Sequence, residues 1–175
     1  MIDLRRILDA RILIVDDLEA NVRLLENMLG AAGYTDIAST MDPHEVCALH
    51  RRNHYDLILL DLQMPGLDGF TILERLKVIE SGGYVSALVV TAQPDHKLRA
   101  LKAGAKDFVS KPFDLVEVKT RIHNLLEVRL LYKQVENYYS LLEQTLLERT
   151  AELRACQERL QHQAERTPAG GQPGT

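Results

Sequence analysis

The chain has no tryptophan, only three phenylalanines and only two cysteines in 175 residues. Without large aromatics its core must be mostly aliphatic. Cys47 and Cys156 are too few and too far apart for a disulfide framework or a cysteine-based zinc site, and they suit a reducing, cytosolic compartment. No apolar run approaches the ~18 residues of a membrane span, and the opening MIDLRRILDA lacks the apolar stretch of a signal peptide. A soluble, cytoplasmic protein with no membrane contact is expected. There is no basic excess either: the formal charge is -4, which gives no support to nucleic-acid binding. What remains is a composition of 46% hydrophobic and 26% charged residues, that of a globular domain.

Short apolar runs alternate with amphipathic segments from Arg11 to about Pro112. The runs are RILIV (Arg11–Val15), a weak DIAST (Asp36–Thr40), LILL (Leu57–Leu60), ALVV (Ala87–Val90) and DFVS (Asp107–Ser110). Three are continuously apolar, as strands of a parallel sheet buried on both faces should be. Between them, Leu18, Val22, Leu25 and Met28 form one helical stripe, with Gly33 as its stop. Asp42-Pro43-His44-Glu45 reads as an N-cap, a first-turn proline and a capping glutamate. Phe70, Leu73 and Leu76 make a third helical face. Pro94 opens a fourth helix with Leu98 and Leu101 inward and Gly104 closing it. Asp114 with Glu117 caps a fifth. Strict β-α alternation predicts a doubly wound α/β fold.

From Asp114 to about Arg166 there is neither proline nor glycine, and helix formers dominate. At ~1.5 Å per residue this predicts a helix on the order of 80 Å, far longer than the domain it leaves. A heptad register places Leu125, Val128, Tyr132, Val135, Tyr139, Leu142, Leu146, Leu153, Cys156 and Leu160 on one seam, broken only by Arg149 and Gln163. Such a seam predicts a coiled coil and hence a homodimer. The alternative is a helix folded back on its own domain. The closing TPAGGQPGT, residues 167–175, reads as a flexible tail.

In an open parallel sheet, ligands bind beyond the carboxyl ends of the strands. Here those ends carry Asp16-Asp17, Asp61, Thr91 and Lys111. Three carboxylates on one edge repel one another unless a cation sits among them. Oxygen donors without nearby Cys or His select a hard ion, and Mg²⁺ is the expected one. A lysine ammonium can pair with Asp61 and later with a phosphoryl oxygen, to which a threonine hydroxyl can also donate. These are the parts of a phosphoryl-transfer site.

Asp16-Asp17, LILLDLQMPGLDGF, VVTA and FVSKPF together resemble the receiver domain of two-component response regulators, from about residue 9 to about 126. The resemblance implies a flavodoxin-like five-stranded sheet of order 2-1-3-4-5 and Asp61 as the acceptor of a phosphoryl group from a histidine kinase or phosphotransfer protein. It implies Mg²⁺ on Asp17 and Asp61, with Asp16 reaching it through water and the Gln63 carbonyl as a further ligand. Thr91 and Lys111 would hold the phosphoryl oxygens, and Phe108 would be the aromatic switch coupled to Thr91. It also implies a cis Lys111–Pro112 bond.

Other chemistries fit less well. An aspartate-nucleophile phosphatase of the haloacid dehalogenase type needs an acid two residues after its nucleophile, where this chain has Gln63. A flavodoxin-like cofactor binder needs a glycine- and hydroxyl-rich phosphate loop where this chain has VDDLEANV. An unphosphorylated receiver acting as a binding module stays open. The helical extension, residues 127–166, resembles the linkers that precede cyclic-dinucleotide enzymes. The chain has no GGDEF, EAL or HD-GYP pattern and no basic block before the heptads. A regulator whose output is the coiled coil itself is therefore expected, or the regulatory half of a longer enzyme.

Overall fold

The computed structural model describes residues 3–80, 84–93 and 95–166. Among them the strands β1 (Arg11–Val15), β2 (Asp36–Thr40), β3 (Leu57–Asp61), β4 (Ala87–Thr91) and β5 (Asp107–Ser110) form one parallel sheet in the order β2-β1-β3-β4-β5. This is the doubly wound, flavodoxin-like arrangement expected from the sequence. The helices are α1 (Leu4–Leu8), α2 (Glu19–Ala31), α3 (Val46–Asn53), α4 (Gly69–Ile79), α5 (His96–Ala103) and α6 (Leu115–Arg166).

Alternation along the strands divides the core between the two sheet faces. Ile12, Ile14, Leu57, Leu59 and Leu88 pack with α2 and the first part of α6. Leu13, Val15, Ile58, Leu60 and Val89 pack with α4 on the opposite face. Each fully buried aliphatic side chain contributes about 1.5–3 kcal/mol. Burial on both faces therefore leaves only the strand ends free to carry polar chemistry.

Several helices sit differently from the sequence reading. The inward stripe of α2 is Val22, Leu25 and Leu29; Leu18 is the exposed N-cap and Met28 is only partly buried. Helix α3 begins at Val46, because the Asp42 carboxylate accepts from the His44 amide in a tight turn before it. In α5 the buried residue is Ala100, while Leu98 and Leu101 are 63% and 40% exposed. Gly104 closes α5 at φ 118, a left-handed conformation that a Cβ would strain. Pro94 and the tail 167–175 lie outside the described residues. Helix α1 was not foreseen: Asp3 caps it and Ile7 anchors it in the core.

The chain divides into two compact units, Met1–Lys133 and Gln134–Thr175. In the first, α6 turns Val118, Ile122, Leu125, Leu126 and Leu130 into the core. Leu125, placed on the seam by its heptad position, is thus a domain residue, 9% exposed. Packing also continues past residue 126, where the sequence motifs end. In the second unit, Val135, Tyr139, Leu142, Leu146, Leu153 and Leu160 are 50–66% exposed, and Cys156 is exposed as well. Among the described residues no helix is long and apolar enough to cross a membrane.

Candidate functional site: an acidic cluster at the sheet edge

Strand register assembles the site. Val15 lies opposite Leu60, so the next residues, Asp16 and Asp61, emerge side by side. Asp61 lies opposite Val90, and Thr91 opposite Ser110, so Thr91 and Lys111 follow on the neighbouring strands. Carboxylate oxygens of Asp16, Asp17 and Asp61 lie within 4.8 Å of one another. Asp16 and Asp61 are buried and Asp17 is half-exposed.

The Lys111 ammonium spans the two buried carboxylates, at 2.6 Å from Asp61 Oδ2 and 3.1 Å from Asp16 Oδ2. Burial acts to lower its pKa, but the hydrogen bonds to Asp61 and Asp16 outweigh that and hold it above the ordinary lysine value. In the unfolded chain Lys111 titrates at the ordinary lysine value. Because the folded value is raised, the stabilisation is complete below that pH and is lost as pH rises through the folded value. Unfolding free energies measured by urea titration from about pH 9 to 12 should therefore fall with pH, and Lys111→Met should remove part of that fall. The variant comparison isolates Lys111, since burial also raises the phenols of Tyr34 and Tyr84.

The remaining polar atoms are fixed locally. Asp61 Oδ1 accepts from the Gln63 amide at 2.9 Å. Thr91 is fully buried; its hydroxyl oxygen accepts from the Gln93 amide at 3.1 Å, which leaves the hydroxyl proton free to donate. The Thr91 carbonyl accepts from the Lys111 amide at 2.8 Å, and the Lys111–Pro112 bond is cis. Phe108 is half-buried, with the Lys97 ammonium 4.7 Å from its ring centroid.

Two residues escaped the sequence reading. Asn21 Nδ2 donates to both Asp16 oxygens, at 3.0 and 2.9 Å, and the Leu18 amide adds a third bond at 2.9 Å. Its only sequence signal is its place in the first turn after the acidic strand end. Gly69 is the other: a Cβ there would stand 2.7 Å from Leu62 Cα and 3.0 Å from the Asp61 carbonyl oxygen. Both neighbours are backbone, so nothing can yield cheaply. Gly69→Ala should destabilise the fold by about 1–3 kcal/mol in chemical denaturation.

Three carboxylates against one ammonium leave a local formal charge of 1 − 3 = −2. An all-oxygen donor set of that charge fits a hard divalent cation.

A family model for the response regulator receiver domain matches residues 12–123. The response regulator PleD of Caulobacter vibrioides is 38% identical over 130 residues, 73% of this chain and 28% of PleD. The DNA-binding dual master transcriptional regulator RpaA of Synechocystis is 39% identical over 118 residues, 66% of this chain and 48% of RpaA. This chain thus spans less than half the length of either relative. Among solved structures, the receiver domain of the sensor histidine kinase PA1611 of Pseudomonas aeruginosa aligns with TM-score 0.62 and 29% identity, covering 68% of this chain and 98% of that one. That receiver holds a magnesium ion coordinated in its active-site cleft. The matched motifs, the sheet order and the acidic edge all agree, and the chain belongs to the response regulator receiver family, the phosphorelay signalling modules of two-component systems.

Proposed function

We propose that Asp61 accepts a phosphoryl group from the phosphohistidine of a sensor histidine kinase or phosphotransfer protein, and that a homodimeric coiled coil in α6 carries the result. The observation that carries this reading is the Lys111 ammonium, shared between Asp61 and Asp16 beside the half-exposed Asp17. An Asp61 oxygen attacks phosphorus; the P–N bond to histidine breaks as the P–O bond of an acyl phosphate forms. The fixed ammonium of Lys111 and the Thr91 hydroxyl are placed to take the phosphoryl oxygens.

Asp17, Asp61 and the Gln63 carbonyl would hold Mg²⁺, with Asp16 acting through water. Bound there, the ion neutralises charge on the phosphoryl group. That Asp16 already accepts from Asn21, Leu18 and Lys111 supports an indirect role for it. Thr91 moving toward the phosphoryl group would let Phe108 turn further inward, a two-state change biased by the esterified side chain. The receiver unit is read as residues 9–126 by its motifs, with α6 packed on it through Lys133. The seam available to a second copy comprises Val128 and Tyr132, exposed on the first unit, and Val135, Tyr139, Leu142, Leu146, Leu153 and Leu160, exposed on the second. The test is phosphoryl transfer from acetyl phosphate with Mg²⁺, read as a label on Asp61.

A further inference from the structure

At the sheet edge opposite the acidic cluster, α6 is held by buried polar contacts that phosphoryl chemistry does not require. Arg129 is 6% exposed; its Nη1 donates to the Tyr84 carbonyl at 2.8 Å, and its Nη2 lies 3.8 Å from Glu80 Oε2. Glu80 is the C-cap of α4, and its Oε1 lies 2.7 Å from Nε2 of the buried His50 at the end of α3. Around this cluster Tyr132 stacks on Tyr84 with centroids 4.6 Å apart, and Lys133 pairs with Asp56.

The cluster is incompletely satisfied. Arg129 Nε and His50 Nδ1 are buried without a hydrogen-bond partner. A desolvated guanidinium with one good bond, one loose carboxylate and one orphaned N–H adds little net stability compared with an apolar side chain of its shape. Packing alone would be served better by methionine, so a role in specifying position fits the residue better than a role in holding the fold.

The other end of α4 packs closely on the phosphoacceptor loop: Gly69 sits against Leu62 and the Asp61 carbonyl, with no room for a Cβ. One helix, about 16 Å long at 1.5 Å per residue, therefore touches the Asp61 loop with its first residue, Gly69, and α6 with its C-cap, Glu80. We propose that α4 transmits the state of Asp61 to α6 through the Glu80–Arg129 contact, a route separate from Thr91 and Phe108. The proposal rests on Asp61 being the phosphoacceptor. Displacement of the loop on esterification shifts α4 along its axis, and the loose Glu80–Arg129 pair shortens or breaks.

Hydrogen–deuterium exchange on the full chain, with Mg²⁺ and with or without beryllofluoride as a phosphoryl mimic, tests this. In the wild type, exchange should change several-fold both in the Gln63–Gly69 loop and at Leu126–Lys133. In Arg129→Met the loop response should persist while the Leu126–Lys133 response is lost. Glu80→Gln, which keeps size and hydrogen-bonding capacity, should give the same loss and serves if the arginine variant does not fold. A wild-type response in the loop with none at Leu126–Lys133 overturns the proposal, as does an undiminished Leu126–Lys133 response in a folded variant. If the wild-type loop itself does not respond, the phosphoacceptor reading has failed and the proposal falls with it.

Discussion

Asp61→Asn is expected to abolish phosphoryl labelling while leaving the folded domain about as stable as the wild type. The two outcomes separate a chemical role from a structural one. Asn keeps the volume, but its single acceptor oxygen can replace only one of the two Asp61 oxygens, which now accept from Lys111 Nζ at 2.6 Å and from the Gln63 amide at 2.9 Å. The substitution removes one attraction, to Lys111, and two repulsions, toward Asp16 and Asp17 at up to 4.8 Å. At an effective dielectric of about 20, the attraction is roughly 6 kcal/mol and the two repulsions together roughly 7 kcal/mol. They nearly cancel. With one hydrogen bond lost, urea denaturation without divalent ions should place the variant within about 2 kcal/mol of the wild type. Mg²⁺ affinity, measured by calorimetry, should fall at least about tenfold, because a carboxylate donor and its charge are gone. A large loss of stability would instead make Asp61 a structural residue.

If the proposed coiled coil holds this chain as a dimer, Leu142→Asp combined with Leu146→Asp should convert it into a monomer in sedimentation velocity. Both leucines are more than half exposed, and they occupy successive inward positions of the heptad seam. Burying such a side chain contributes about 1.5–3 kcal/mol, and a symmetric dimer loses each one twice. Even after discounting for imperfect conversion of area to affinity, the dissociation constant should rise by at least about 100-fold. Leu147→Asp is the control. Leu147 is 71% exposed on the same helix but lies off the seam, so a dimer held by the seam tolerates its loss. Equal disruption by the control would mean that the apolar face, rather than the seam, drives association. Truncations must keep Lys133, since Leu125, Leu126 and Leu130 belong to the domain core.

The acidic edge was legible because Asp16, Asp61 and Thr91 each close a continuously apolar run, and Lys111 closes the fifth β-α unit's short strand. Register then does the rest, bringing Asp16, Asp61, Thr91 and Lys111 together from four strands. Helix faces were less legible. The largest apolar residues of α5, Leu98 and Leu101, point outward, and Ala100 makes the close contact. Side-chain size misleads where a helix packs tightly enough that only a methyl fits. Asn21 and Gly69 left no periodic trace, since each is defined by contact back to the strand end just before it, and the His50–Glu80–Arg129 cluster left none because its contacts run across the fold. The heptad register was read one layer too early at Leu125, because a helix that serves first a domain and then a seam shows one continuous apolar repeat across both.

The most direct measurement is intact-mass and peptide mass spectrometry after incubation with acetyl phosphate, with and without Mg²⁺. Phosphoryl acceptance by Asp61 predicts that the chain gains the mass of one phosphoryl group only when Mg²⁺ is present, carried by the peptide containing Asp61 and absent from Asp61→Asn. An unmodified wild-type chain under those conditions and with histidine kinases as donors, or a label that persists in Asp61→Asn, would contradict it.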